Sequence, residues 1–140
     1  MNNRRFYIAV LLMFACAAGL SAADVTVIAN PGVGVSAVAA DDLKAIFLLT
    51  RTALADGSHV EPVLAKGGPA HEAFLSRFLG KGDTALQTYY RSLVFTGKGS
   101  MPRTIATDDE MIAYVAKTKG AVGYIHAEPT VTSVKVLTIK

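Results

Sequence analysis

Short β-branched runs bounded by turn residues predict the strands of this chain. The first run, Val25–Ala29, ends at Asn30-Pro31-Gly32, a sequence typical of a turn. A second run, Val60–Leu64, contains Pro62, and a proline inside a strand favours a sheet edge or a strand end. Two closing strands are predicted at Ala121–Ile125 and Val134–Ile139.

Apolar residues that recur every three or four positions predict four helices. Their apolar faces are Ala39, Leu43, Ile46 and Phe47; Ala70, Phe74 and Phe78; Leu86, Tyr89, Tyr90 and Leu93; and Met111, Tyr114 and Val115. Pro69 suits a first helical position, Asp83 can cap the helix that it precedes, and Thr107 with Glu110 forms a capping box. Strands that alternate with helices predict an α/β layered domain with a mostly parallel sheet.

The first 23 residues have the composition of a secretory signal peptide. Arg4 and Arg5 precede an apolar run over residues 6–20, and small residues at 21–23 suit cleavage after Ala23. The run is shorter than the roughly 20 residues that a membrane-spanning helix needs. We therefore predict a signal peptide at 1–23, a mature domain at 24–140 and a periplasmic or secreted location. An uncleaved membrane anchor and lipidation at Cys16 are the alternatives.

Removal of the signal peptide changes the charge of the chain. The whole chain is 51% hydrophobic and carries 14 Lys and Arg residues against 11 Asp and Glu residues. Removal of 23 residues from 140 leaves 117 residues, no cysteine and a net charge of +1, because Arg4 and Arg5 are lost. A chain this close to neutral is not expected to bind nucleic acid, and one without cysteine folds without disulfides. Contact with the membrane is then expected only through the signal peptide.

The residue types used in catalysis and cofactor binding form no recognisable motif in the mature chain. It has no cysteine nucleophile, no G-x-S-x-G sequence and no nucleotide-binding glycine motif. His71-Glu72 lacks the second histidine of a zincin helix, and 108–110 is better explained as a helix start than as a metal site. We therefore predict no catalytic residue, no metal and no cofactor. The spacing of the three histidines nevertheless leaves a catalytic triad open.

Two glycine-rich segments have the chemistry of an anion site. Lys66-Gly67-Gly68 opens a helix, where free N–H groups, the helix dipole and a lysine suit a phosphate or a carboxylate. Thr96–Ser100 with Arg103 offers a second cradle. An ordinary strand-to-helix turn and a solvated loop are the simpler interpretations of the two segments. The candidate anion ligands are Lys66, Gly67, Gly68, His71 and Arg103.

Several strings of residues, in a fixed order, resemble those of a known family. They are Val27–Pro31, Leu43–Leu48, Asp56-Gly57, Phe74, Leu93–Gly99, Pro102 and Gly120–Ile125. Together they resemble the small, single-lobe relatives of phosphate ABC-transporter substrate-binding proteins, of the type II periplasmic-binding-protein-like superfamily. The match runs from about Val25 to Ile125. The resemblance implies a single three-layer α/β lobe with a mostly parallel mixed sheet, export, and solute binding without catalysis.

The resemblance leaves two functions open. In the first, the protein binds phosphate or another small anion in connection with ABC transport. One lobe offers an open surface, whereas a tightly bound ligand is mostly buried, so a homodimer or a transporter or envelope partner would complete the site. In the second, the protein is an envelope interaction or scaffold module that has lost ligand binding. The family's R-x-x-S-G-T-type motif is replaced here by Leu64–Ala70, and Tyr89, Phe95 and Tyr124 would be docking residues.

Overall fold

The computed structural model describes residues 25–126 and 132–140, so the predicted signal peptide and Cys16 lie outside the described residues. Within these ranges the strands are, in chain order, β1 (Thr26–Ala29), β2 (Ala37–Val38), β3 (Glu61–Ala65), β4 (Arg103–Ile105), β5 (Ala121–Ile125), β6 (Lys135–Val136) and β7 (Thr138–Ile139). The helices are α1 (Ala40–Phe47), α2 (Pro69–Phe74), α3 (Asp83–Phe95) and α4 (Asp108–Lys117). A π-helical turn over Leu75–Leu79 continues α2. None of the described helices combines the length and the apolar character that a membrane crossing requires.

Five strands form one mixed sheet in the order β4-β3-β5-β1-β6, and β2 pairs with β7 in a separate two-stranded sheet. β3 runs parallel to β4 and β5, whereas β1 runs antiparallel to β5 and β6. The pairing of β2 with β7 is also parallel, so three of the five strand pairings in the described ranges are parallel. The predicted α/β architecture with a mostly parallel mixed sheet is confirmed.

Alternate residues of the central strands face opposite sides of the sheet, and helices cover both sides. On one side Val27 and Tyr124 pack with residues of α1, α2 and α3. On the other side Ile28 and Ile125 pack with Val115 of α4. All five residues of β5 are buried, as expected for a strand that is covered on both faces. The domain therefore has the three layers that the resemblance implied.

The absence of a side chain at Gly123 lets α4 pack closely on β5. A Cβ atom at this position would lie 2.6 Å from the Sδ of Met111 and 3.4 Å from the Cγ2 of Val115. Both contacts come from the buried face of α4. A larger residue at 123 would therefore push the helix away from the sheet.

Asn30 joins the end of β1 to the end of α4 through its buried side chain. Its Nδ2 donates to the carbonyl oxygens of Val115 at 2.9 Å and Ala116 at 3.0 Å. Its Oδ1 accepts the N–H of Gly32 at 2.9 Å, and its own N–H donates to the oxygen of Ala121 at 2.8 Å. The last turn of a helix leaves its carbonyl groups without helical partners, so Asn30 satisfies two of them.

Pro62 does not lie in an edge strand, so the expectation that it marks a sheet edge is wrong. β3 has a neighbour on each side, β4 and β5. β4 pairs only with Val63–Ala65, so the missing N–H of Pro62 costs no bond to that strand. Pro62 is the second residue of β3, one position after its beginning.

Asp83 does not cap α3, contrary to the sequence prediction. Gly82 occupies the cap position and no side chain caps the helix, while Asp83 is the first helical residue. Its carboxylate lies instead 2.8 Å from the Nε2 of His71. In contrast, the capping box of α4 is confirmed on one side, since Thr107 Oγ1 accepts the N–H of Glu110 at 3.2 Å.

Candidate functional site

The carboxyl ends of β3 and β4 lie at the same edge of the sheet because the two strands are parallel. Lys66 directly follows β3. Its N–H donates to the oxygen of Ile105 at 2.8 Å, and this bond joins the ends of the two strands. Ligands of α/β domains bind outside the carboxyl ends of parallel strands. A binding site is therefore expected near this end of the two strands.

A surface cavity of about 440 Å³ extends from this end of the strands along β4 and α4. Its lining residues are Lys66, Arg103, Thr104, Ile105, Ala106, Glu110, Ala113, Tyr114 and Lys117. Three of these side chains are cationic and one is a carboxylate, so the cavity carries an excess of positive charge. An open, cationic cavity of this kind suits a small anion better than an apolar ligand.

Arg103 is held in place by an aromatic ring on α4. Its Cζ atom lies 4.9 Å from the ring centroid of Tyr114, within the range of a cation–π contact. The hydroxyl of Tyr114 donates in turn to Glu61 Oε1 at 3.2 Å. The guanidinium therefore faces the cavity from a fixed support, with its planar set of N–H donors available to an oxyanion.

Two of the five predicted ligands line this cavity and the other three do not. Lys66 and Arg103 line the same cavity, although 37 positions separate them in the sequence. Gly67 and Gly68 are exposed and follow Lys66 in the chain, but they do not line the cavity. Gly68 has a φ of 97°, a conformation that glycine tolerates best, and Pro69 begins α2 as predicted.

His71 is buried and bonded within the fold rather than open to the cavity. It is 3% exposed, with its Nδ1 2.5 Å from the hydroxyl oxygen of Tyr124 and its Nε2 2.8 Å from Asp83 Oδ1. Both ring nitrogens are therefore engaged. In this structure His71 cannot assist an anion beside Lys66 directly.

Tyr124 connects His71 to the end of β3. Its hydroxyl oxygen accepts the N–H of Ala65 at 3.0 Å, and its ring stacks on Phe74 with a centroid separation of 3.9 Å. Burial raises the pKa of Tyr124 above its ordinary range, and the hydrogen bond from Ala65 opposes this only in part. The phenol therefore stays protonated and has a hydrogen to donate to His71.

A second cavity, of about 550 Å³, lies near the amino ends of β3 and β5, and its lining includes His59 and Lys119. Nearby, the hydroxyl of Ser58 donates to Asp56 Oδ2 at 2.6 Å and the N–H of Ser58 to Oδ1 at 3.0 Å. These bonds lower the pKa of Asp56 below its ordinary value. No group of three His, Cys, Asp or Glu residues within 25–126 and 132–140 is placed to hold a metal ion.

The contribution of α4 to the candidate site is absent from the five predicted ligands. Glu110, Ala113, Tyr114 and Lys117 lie three or four positions apart, so they share one face of the helix. That spacing is visible in the sequence. The sequence does not show that this face lies beside β4, because β4 has only three residues and gives no periodic signal.

Of the three residues suggested for docking, only Phe95 lies fully on the surface. It is 93% exposed, and Val94 and Met101 are 46% and 45% exposed. Tyr89 is half-buried and its hydroxyl donates to the oxygen of Leu48 at 2.6 Å. Tyr124 is completely buried, so the suggestion that it docks a partner is wrong.

No family model matches the chain, and no curated protein matches it. Solved structures, however, share its fold. An ABC-type phosphate transport receptor from Vibrio cholerae matches with a TM-score of 0.55 and 14% identity, over 82% of this chain and 45% of the receptor. A Clostridium perfringens protein solved with bound phosphate matches with a TM-score of 0.62 and 16% identity, over 82% of this chain and 44% of its own.

PstS from Borrelia burgdorferi matches with a TM-score of 0.61 and 10% identity, over 83% of this chain and 47% of its own. The chain therefore spans less than half of the length of these proteins. At such low identity the likeness establishes the fold. The resemblance to phosphate ABC-transporter substrate-binding proteins, predicted from the sequence strings, is confirmed at that level.

Proposed function

We propose that the protein is an exported, non-catalytic solute-binding protein, linked to ABC transport, that binds phosphate or another small anion. The observation that carries the proposal is the cavity between β4 and α4, which Lys66, Arg103 and Lys117 line together. The fold supports it, because the solved structures of the same fold include an ABC-type phosphate transport receptor and a protein with bound phosphate.

Three charged side chains of the cavity have distinct roles in this proposal. Arg103, supported by Tyr114, offers two parallel N–H donors to a tetrahedral oxyanion, and Lys66 supplies a point charge from the turn after β3. Glu110 lines the same cavity, and a carboxylate can only accept a hydrogen bond. An anion that carries a proton, such as hydrogen phosphate, is therefore favoured over sulfate.

The cavity is open, which limits the affinity that one copy can reach. Small ligands that bind tightly are mostly buried by their proteins. The proposal therefore includes a second copy, a transporter or another envelope protein that covers the bound anion. Without such a cover we expect weak binding.

The proposal is tested by calorimetric titration of the chain with phosphate, sulfate and small carboxylates. We expect phosphate to bind, and Lys66→Gln and Arg103→Gln to weaken it by about tenfold each, which is the effect of about 1.4 kcal/mol. Lys44→Gln is the matched control, because it removes an exposed lysine that belongs neither to this cavity nor to the Thr96–Ser100 segment. A wild-type chain that shows no heat down to millimolar affinity, about −4 kcal/mol, would contradict the proposal.

Glu110→Gln tests the preference between anions in the same titration. We expect this variant to bind sulfate more strongly than the wild type does, since it removes the only carboxylate among the residues that line the cavity. Equal sulfate binding by both proteins would contradict the role given to Glu110.

Export is tested separately, by the mass of the protein recovered from the envelope. Cleavage after Ala23 would leave Asp24 as the first residue. Recovery of the uncleaved chain, or of a lipid attached at Cys16, would instead support one of the two alternatives.

An envelope interaction module is the second candidate, and the surface around Phe95 favours it. Phe95, Val94 and Met101 are exposed, and the sequence from 84 to 107 contains basic residues but no Asp or Glu. Such a surface suits a partner with an apolar patch and acidic neighbours. Envelope crosslinking with the wild type and Phe95→Ser tests it, and a species that stays monomeric and uncrosslinked in both proteins would contradict it.

A further inference from the structure

His71 lies outside the cavity proposed for the anion, yet it is one of two buried polar residues in the described chain. Its contacts are a surface carboxylate on one side and a buried phenol on the other. The side chain of Asp83 is 55% exposed, whereas Tyr124 is fully buried. The histidine therefore links the surface of α3 to the interior of the domain.

The chemistry of the three side chains fixes the direction of the hydrogen bonds between them. An ionised carboxylate only accepts, so the hydrogen of a neutral His71 lies on Nε2 and points to Asp83. Nδ1 is then an acceptor, and it takes the hydroxyl hydrogen of Tyr124. The oxygen of Tyr124 keeps a lone pair for the N–H of Ala65.

The far end of this chain of bonds is next to the candidate anion site. Ala65 is the last residue of β3, and the next residue, Lys66, lines the cavity. The N–H of Lys66 is bonded to Ile105, so two successive backbone groups are held, one by β4 and one by Tyr124. Together they determine where the Lys66-Gly67-Gly68 turn leaves the sheet.

We propose that His71 is a positioning residue for the anion site: held by Asp83, it orients the Tyr124 hydroxyl to fix the Ala65 backbone from which the Lys66 turn departs. The expected effect on anion affinity rests on the proposed function. The position of the turn can be measured without any ligand. In this proposal His71 assists the anion, as the sequence predicted, but through Tyr124 and Ala65 and not by direct contact.

Two variants of His71 separate the two bonds of its ring. The Oδ1 of His71→Asn can reach the position of Nδ1, so this variant keeps an acceptor for Tyr124 and loses Asp83. The longer His71→Gln side chain reaches the position of Nε2, so it keeps a donor for Asp83 and loses the acceptor for Tyr124. Both variants remove the imidazole ring and its packing, which makes them a matched pair for stability.

The experiment measures amide hydrogen exchange at Ala65, phosphate affinity and thermal stability for the wild type, both His71 variants and Tyr124→Phe. We expect Ala65 to be protected in the wild type and His71→Asn. We expect exchange about tenfold faster, and phosphate binding about tenfold weaker, in His71→Gln and Tyr124→Phe, since one hydrogen bond contributes about this factor. The melting temperatures of the two His71 variants should be similar.

The outcomes distinguish the two proposals. Equal Ala65 exchange in all four proteins overturns the positioning role, whatever the phosphate affinities are. Affinities that follow melting temperature, and not Ala65 exchange, also overturn it, because His71 would then act through stability alone. A wild-type chain that binds no phosphate but shows the expected exchange pattern overturns the proposed function and supports the positioning of the turn by His71.

Discussion

Asn30 and His71 lie on different sides of the central sheet, and each ties a strand to a helix. Asn30 reaches only backbone groups, namely two carbonyls at the end of α4 and the N–H of Gly32. His71 reaches two side chains, and only through Tyr124 does it reach the backbone. Backbone partners stay neutral at every pH, whereas the phenol of Tyr124 can lose a proton. The Asn30 contacts are therefore independent of pH, whereas the His71 contacts depend on the protonation of Tyr124.

The largest expected effect is the loss of the Asn30 network. Asn30→Asp replaces a donor by a carboxylate that faces two carbonyl oxygens in a buried position. We expect the free energy of unfolding to fall by about 3 kcal/mol, because a buried charge gains no compensating bond and two acceptors lose theirs. Urea denaturation measures the change, with Thr88→Ala as the control.

That control removes an exposed bond from a side chain to the helix backbone, from Thr88 Oγ1 to the oxygen of Thr84. It should change the free energy of unfolding by no more than about 0.5 kcal/mol. Similar losses in Asn30→Asp and Thr88→Ala would show that the Asn30 contacts do not stabilise the end of α4.

Tyr124→Phe is expected to have the next largest effect, since it removes two hydrogen bonds and keeps the stacked ring. At about 1 kcal/mol for each bond, unfolding should become easier by about 2 kcal/mol. Tyr89→Phe is a suitable control, because the Tyr89 hydroxyl makes a single half-buried bond to Leu48. A smaller loss for Tyr124→Phe than for Tyr89→Phe would contradict the assignment of the bonds around His71.

Alkaline pH should weaken the His71 side of the molecule and leave the Asn30 contacts unchanged. Burial raises the pKa of both Tyr90 and Tyr124 in the folded protein. The stability that depends on their neutral form is present below about pH 10, where free phenols ionise, and is lost as the pH rises through the folded pKa values. We expect a loss of about 1.4 kcal/mol per pH unit above 10 for each phenol that stays protonated.

Urea denaturation at several pH values between 8 and 12 provides the measurement. Tyr124→Phe should remove about half of the slope above pH 10, because one of the two buried phenols is then missing. A slope that is the same in Tyr124→Phe and in the wild type would show that Tyr124 ionises as freely in the folded chain as in the unfolded one.

The smallest effect is expected for Asp83→Asn, which keeps an acceptor but removes the charge. The carboxylate is 55% exposed, so its pairing with His71 is partly screened by solvent, and we expect a loss below about 1 kcal/mol. An asparagine can also offer a donor, so the Nε2–H tautomer of His71 is no longer enforced. The ¹⁵N shifts of the His71 ring report the tautomer, and an unchanged pattern would contradict the orienting role of Asp83.

Local signals in the sequence predict most of the elements but not the minor ones. The helix that begins at Pro69, the capping box at Thr107 and the buried run at Ala121–Ile125 each follow from residue type and period. β2 and β4 have two and three residues, so they show no period and are defined only by their pairing with β7 and β3. Asp83 has the chemistry of a cap, but a buried histidine 12 positions earlier provides its partner instead.

By itself, the sequence determined the α/β class, the order of the main elements and the cationic residues available to an anion, because period, turn residues and charge are local properties. Only the tertiary structure decided which of these residues meet. It placed Lys66 beside Arg103 and α4, and it buried His71 against Tyr124. The physical reason is that the pairing of β3 with β4 and the packing of α4 bring residues that are distant in the sequence to one cavity. The partner of a buried polar group is likewise set by packing across the sheet and not by its neighbours in the chain.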